Sequence, residues 1–262
     1  VFVIIHCRKI IMYQGTGEII EPFMAALEMI HNYSLVHDDL PAMDNDEYRR
    51  GKLTTWKVYG ECMAILAGDG LLNFAFETAS NAFRMVDKEC GTDPAQQLKT
   101  YRAVGRSMQI LSKKAGIYGM IGGHTADIEA EGRNDLTEEL LLFIHEHKTA
   151  ALMECAMMIG AALAGASQSD IEKMERAASN IGIAFQIQDD ILDITSTTEV
   201  LGKPVGSDEK NHKLTYVTLH GIGESKQQVK ELSEEAVEIL KSFETKNGFL
   251  VELVEQLVNR EK

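Results

Sequence analysis

Basic side chains are scarce in this sequence: 26 lysines and arginines stand against 40 aspartates and glutamates, a formal net charge of −14. That balance argues against nucleic acid as a partner. It leaves room for a small anion, because a bound cation can invert the field locally. Cysteine and proline number only four each, and aromatics make up 6%. With Ala, Leu, Ile, Met and Glu abundant, such a composition favours helix. No CxxC pair occurs, so Cys7, Cys62, Cys90 and Cys155 are expected to be buried free thiols in a reducing compartment, the cytoplasm. No apolar run is long enough to span a bilayer. The best, ALMECAMMIGAALAGA, is interrupted by Glu154 and is expected to be a buried helix. The opening VFVIIHCRKIIM lacks the basic start and cleavage site of a secretory signal. Neither GxxxxGK[ST] nor a Rossmann glycine pattern is present, which disfavours nucleotide hydrolysis.

What is present is helical periodicity. PFMAALEMIHNYSLVHD places Phe23, Ala26, Leu27, Ile30 and Ser34 on one stripe. LTEELLLFIHEHKTAALMECAMMIGAALAG reads as one long helix capped by Thr137. SDIEKMERAASNIGIAFQIQDDILDITS reads as another, started by Ser169 or Asp170. The tail gives one or two amphipathic helices broken at Asn247-Gly248. No alternating strand pattern persists, so DLPAMDNDEYRRGKL is expected to be loop and the fold all-α. No linker divides the 262 residues, so residues 1–262 are expected to form a single domain. The chain opens on Val1 inside an apolar run, which suggests that a segment precedes it.

Charge concentrates at two places. In QDDILD, Asp189 and Asp193 are four apart and Asp190 and Asp193 three apart, so all three can share a helix face. Like charges so placed, beside Phe185, Ile187, Ile191 and Leu192, are costly unless a cation neutralises them. Hard oxygen donors suit Mg2+, which binds one or two carboxylates, waters and substrate phosphates. The other place is HNYSLVHDDLPAMDNDEYRRGK. Asp38 and Asp44 are six apart, about 240° around a helix at ~100° per residue. They can meet only if the helix breaks, and Pro41 supplies a break by disfavouring helical geometry at Leu40. Asp46 and Glu47 read as solvated acids or ion-pair partners. An acidic solvated loop would explain this stretch alone; two acidic motifs, each ending an apolar helix, point to metal.

Arg49 and Arg50 follow the first motif, and Lys203 and Lys213 lie in the loop after the second. Lys148 enters an apolar, Ala-rich helix, where an ammonium needs a partner. Bidentate Arg and point-charge Lys are the usual phosphate ligands. The residues therefore describe a helical protein that clamps a multiply charged phosphate through Mg2+.

Together LVHDDLPAMDND…RRG, GGHTADIEAEG, HKTAAL, FQIQDDILD and LGKPVGSDEKNHKLTY resemble the short-chain trans-prenyl diphosphate synthases, most nearly the farnesyl diphosphate synthases of bacteria. The resemblance implies a single-domain helical bundle of the isoprenoid synthase type with a central active-site cavity, and a homodimer. It implies that Asp38 and Asp44, supported by Asp39, hold Mg2+ on the allylic diphosphate, and that Asp189, with Asp190 and Asp193, completes the metal cluster. Arg49, Lys148 and Lys203 would grip that diphosphate, with Lys213 nearby. His31 and Arg50 would contact isopentenyl diphosphate. Thr149 and Gln186 would turn oxygen atoms towards the allylic cation. Taken singly, His31 also reads as a residue covering an apolar face, and Gln186 as a core amide. The implied reaction is ionisation of the allylic C–O bond, attack by the isopentenyl double bond, and loss of a proton.

The family's Gly-Gly-Lys-x-x-Arg segment upstream of the first motif is missing, CRKIIMYQGTGEII matches poorly, and His124 stands where Gln is usual. Each added five-carbon unit is favourable by roughly 4 kcal/mol on burial, so affinity never stops elongation and a steric floor is required. The resemblance makes Tyr33 that floor and C15 the product, whereas the helical wheel alone would place Ser34 beneath Asp38. A geranylgeranyl synthase would more naturally have a smaller residue at position 33. A terpene cyclase carries a different second metal motif. A silent helical partner subunit, or a scaffold with an acidic surface, is the reading from outside enzymology.

Overall fold

A computed structural model describes residues 17–131, 133, 135, 137–195, 215–243 and 248–258. A 3-10 turn at Gly17–Ile20 leads into α1 (Glu21–Asp38). A small hairpin, β1 (Tyr48–Arg49) and β2 (Lys52–Leu53), follows. Then come α2 (Thr55–Tyr59), α3 (Glu61–Cys90), α4 (Pro94–Ala115) and α5 (Met120–Ala130). The α6 helix (Glu138–Ile144) runs through a π-helical turn (His145–Ala150) into α7 (Ala151–Leu163). Last are α8 (Gln168–Thr195), α9 (Tyr216–Lys241) and α10 (Gly248–Val258). The helical expectation holds. None of these helices is long and apolar enough to cross a membrane.

Contacts group the chain into two compact units. The first runs to Leu111 and includes Ala162–Ala166; the second holds Ser112–Ala161 and everything from Ser167 on. Two of the three divisions fall inside α4 and α7, and the third falls between α7 and α8.

The first unit is built on α1 against α3. Pro22 opens α1, where its missing N–H costs nothing. Phe23, Ala26, Leu27 and Ile30 are wholly buried, as the stripe requires, and Tyr33 and Ser34 continue it. Burying each large apolar side chain contributes about 1.5–3 kcal/mol. The facing stripe of α3 is small: Ala64, Gly68, Ala75, Ala79 and Ala82. The two helices run antiparallel. Ile19 donates its amide N–H to Glu89 at 2.9 Å, Thr78 lies against the Met29 sulfur, and His37 meets the Ile65 carbonyl.

In the second unit Leu141, Ala184, Ile187, Ile191, Tyr216, Val217 and Val229 form the core between α6, α8 and α9. Thr137 caps α6 as expected, accepting from the Leu140 amide. The cap of α8 is Ser167, not Ser169 or Asp170: its hydroxyl accepts the Asp170 N–H and donates back to the Asp170 carboxylate. Thr215 and Thr218 form a capping box at the start of α9, which kinks at Gly221 (φ 77°, ψ 163°), a conformation open to glycine alone. Glu154, the acid inside the apolar run, is 2% exposed and pairs with Lys114, which also reaches Glu175 at 2.6 Å. Burial alone would lower the Lys114 ammonium; the two carboxylates reverse this and raise it. Cys155 is buried and Cys90 half-buried, but Cys62 is exposed, on the side of α3 turned away from α1.

Candidate active site

The first acidic motif behaves as its spacing demands. The α1 helix ends at Asp38, one turn before Pro41. The chain then doubles back: the Asp44 N–H donates to the Asp38 carbonyl at 2.9 Å, and the Asn45 N–H to the Leu40 carbonyl at 3.0 Å. Asn45 takes φ 55°, which its short polar side chain tolerates. Six residues of separation thus become adjacency. Asp38 is 9% exposed, and Asp44 projects into solvent.

Asp39 is more buried still, at 4%. Its Oδ1 receives both Arg49 Nε at 2.7 Å and Nη2 at 2.6 Å. Burial nevertheless outweighs the guanidinium and raises the Asp39 pKa. Asp39 therefore orients Arg49. Asp46 and Glu47 are ion-pair partners, of Arg49 at 3.7 Å and Lys57 at 2.5 Å.

The expected loop around Arg49 and Arg50 is in fact a hairpin, with Tyr48 opposite Leu53 and Arg49 opposite Lys52. Two-residue strands are too short to show a period of two. Arg50 and Gly51 make the turn, at φ 52° and 74°. Positive φ at both central positions is the type I′ requirement, common for glycine and uncommon for arginine. Thr54 Oγ1 and Trp56 Nε1 both donate to the Asp46 carbonyl at 2.8 Å and anchor the base of the hairpin.

His31 and Tyr33 lie upstream on α1. Burial lowers the His31 pKa to about 4, so its imidazole is neutral at physiological pH. Tyr33 is 6% exposed. Burial first, then the Asp38 charge, pushes its phenol up to about 12.

In the second unit, Lys148 and Thr149 fall within the π-helical turn. The predicted long helix is continuous but carries an extra residue there, a feature that concentrates at functional sites. Two glycines press on this turn. A Cβ on Gly123 of α5 would lie under 3.0 Å from the Lys148 backbone, and one on Gly182 of α8 under 3.0 Å from Ala150. The partner that Lys148 needed is Asp127 of α5, 2.5 Å away and 7% exposed. Asp127 stands in GGHTADIEAEG, one turn after His124, yet its role went unread. The signal was an acid on a short apolar helix, a position that calls for a cation to pair with it.

On α8, Gln186, Asp189 and Asp193 follow one another at three and four residues and share a face. Asp193 is 3% exposed, and Gln186 and Asp189 are half-buried. Asp190 has a further partner. Its Oδ2 accepts the Tyr216 N–H at 2.8 Å and so caps α9. Lys203 and Lys213 lie outside the described residues.

The donors suit a hard divalent cation. All are carboxylates, the hard oxygen ligands that such a cation takes. Among the described residues no three His, Cys, Asp or Glu side chains form a ready cage. A cation that draws most ligands from diphosphate and water needs only one or two protein carboxylates.

Comparison with known proteins follows the same line. The sequence profile described as "Polyprenyl synthetase" matches residues 2–254. The chain is 47% identical over 247 residues to geranylgeranyl diphosphate synthase of Cyanophora paradoxa, across 94% of this chain and 78% of that one. It is 42% identical over 240 residues to farnesyl diphosphate synthase of Geobacillus stearothermophilus, across 92% and 76%. The solved geranyltransferase of Helicobacter pylori, complexed with magnesium and isoprenyl diphosphate, aligns with a TM-score of 0.72 and 31% identity over 91% of this chain and 73% of that one.

Proposed function

The chain belongs to the polyprenyl synthetase family, and on that premise we propose that it is a Mg2+-dependent prenyltransferase that adds isopentenyl diphosphate to dimethylallyl and then geranyl diphosphate, stopping at C15 farnesyl diphosphate. The observation that carries the reading is the turn that returns Asp44 to Asp38. It brings the backbones of two aspartates six residues apart together at the end of a buried helix.

In this reading Asp38 and Asp44 are the carboxylates that take a cation on the first motif, as Asp189, with Asp193 in support, is on the second. Bound there, it supplies charge neutralisation for the leaving diphosphate. Lys148 and Arg49 bind the allylic diphosphate, with Lys203 and Lys213. Their carboxylate partners, Asp127 and Asp39, keep both groups oriented before substrate arrives. Preset charge of this kind needs no reorganisation as the C–O bond breaks. Arg50 and His31 receive isopentenyl diphosphate, His31 as a neutral hydrogen-bond donor. Thr149 and Gln186 offer oxygen to the allylic cation, and the proton lost after C–C bond formation goes to the departing diphosphate. Holding both substrates in register accounts for much of the acceleration.

Tyr33 supports the C15 product, because a large buried ring stands one and a half turns below Asp38. A C20 product is the second reading, favoured by the 47% identity to a geranylgeranyl diphosphate synthase. We also propose a homodimer, supported by the exposed Tyr59, Met63, Leu66 and Phe74 along α2 and α3.

The test is to incubate the protein with dimethylallyl and isopentenyl diphosphates, with Mg2+ and with a chelator, and to separate the dephosphorylated products by chromatography. Mg2+-dependent C15 alcohol is expected. A C20 product replaces the first reading with the second, and no Mg2+-dependent condensation overturns both.

A further inference from the structure

Tyr33 does not stand alone. It shares a face of α1 with His37, four residues on, and the two rings meet edge-to-face, centroids 5.8 Å apart at 81°. Such contacts are attractive beyond the area they bury. The imidazole is itself held. Its Nε2 lies 3.0 Å from the Ile65 carbonyl on α3. A carbonyl only accepts, so Nε2 carries the proton and the ring's orientation is set. One turn along, Gly68 is buried, and a Cβ there would fall under 3.0 Å from three atoms of the same ring. The ring therefore occupies a slot whose side is a carbonyl and whose base is the missing side chain of a glycine. These contacts all lie within the first unit.

We propose that His37 and Gly68 are positioning residues for product length: α3 holds the imidazole, and the imidazole holds the Tyr33 ring across the path of the growing chain. This rests on the reading of Tyr33 as the floor and adds a cause for its rigidity. A tyrosine on a helix can turn about χ1 and χ2 when nothing blocks it, and a floor that turns lets an extra isoprene unit pass. Gly68 is the sharper probe. The atoms in the way of a Cβ are the end of a side chain, so Gly68→Ala evicts the ring while α1 and α3 can stay packed. It also leaves His37, Tyr33 and Asp38 in the sequence.

The experiment measures product distribution at matched conversion, from dimethylallyl diphosphate and excess isopentenyl diphosphate with Mg2+, for the full chain and for Tyr33→Ala, His37→Ala, Gly68→Ala and Tyr33→Ala/Gly68→Ala. Tyr33→Ala moves the main product past C15. His37→Ala and Gly68→Ala each raise the share of products longer than C15 by roughly three- to tenfold, the bias an edge-to-face contact exerts. The double variant matches Tyr33→Ala, because a floor already removed needs no brace. A merely structural defect changes the melting temperature and the rate, not the length at matched conversion. If Tyr33→Ala lengthens the product while Gly68→Ala leaves the distribution unchanged, or if the double variant lengthens beyond Tyr33→Ala, the inference is overturned and the Tyr33 reading stands. Unchanged C15 from Tyr33→Ala overturns the Tyr33 reading instead.

Discussion

Gly182→Ala should disable the protein without unfolding it. Gly182 lies on α8 where that helix meets Ala150, the last residue of the π-helical turn. A new Cβ would stand 2.6 Å from the Ala150 Cα and nearer still to its Cβ. Carbon atoms rest about 3.5–4.0 Å apart, so α8 and the turn must separate by roughly 1 Å. Overpacking of this kind costs about 1–3 kcal/mol, a fall in melting temperature of several degrees for a chain of this size. The larger effect falls on Lys148 and Thr149, which ride on the turn. A displacement of about 1 Å at a reacting centre costs on the order of 100-fold in rate. Single-turnover condensation at 25 °C, with circular dichroism melts in parallel, measures both. Gly223→Ala is the control, since nothing lies within 4 Å of a Cβ there. Wild-type turnover in Gly182→Ala would refute the reasoning. So would a rate loss no larger than the unfolded fraction explains.

Asp38→Asn and Asp189→Asn should each raise the Mg2+ concentration needed for half-maximal rate, and a Mg2+ titration of initial rates shows it; unshifted curves would remove those residues from the metal set. Asp127→Asn frees Lys148 from its carboxylate and should raise KM for the allylic diphosphate by roughly tenfold, the scale of one charge-assisted hydrogen bond, with KM for isopentenyl diphosphate unmoved. His31 gives a pH prediction. Burial holds its folded pKa near 4, against an ordinary value of 6.5. Between those values the unfolded chain takes up a proton that the folded chain refuses, so stability is full above 6.5 and falls as pH drops towards 4. His31→Gln should lose less melting temperature than wild type between pH 7 and pH 5; equal losses would show that His31 does not titrate this way.

The helices were legible because burial repeats along them. Phe23, Ala26, Leu27 and Ile30 are written at helical spacing and are all fully buried, and the Thr137 cap was readable because its hydroxyl serves a neighbour three residues on. The break before Pro41 was legible for the same reason: the steric rule acts on the residue next to proline. Features that depend on distant residues stayed hidden. HEHKTA is an unremarkable helical hexapeptide, and it adopts a π turn where Gly123 and Gly182, far away in sequence, press close against it. The hairpin at Arg49 and Arg50 depends on positive φ in two residues, with too few flanking positions to announce a strand. Cys62 followed the helical pattern of its segment but fell on the exposed side of α3.

The sequence by itself determined which residue types gather, and so the chemistry: carboxylates ending two apolar helices, with arginines and lysines beside them. Spacing carries that information because helix geometry is local and repeats every 3.6 residues. Only the tertiary structure decided how the charges divide their work. It placed Arg49 on Asp39 and Lys148 on Asp127, gave Asp190 to the Tyr216 amide, and lodged the His37 ring over Gly68 beside Tyr33. Those pairings depend on which helix lies against which, and no periodicity within a single segment encodes the identity of its neighbour.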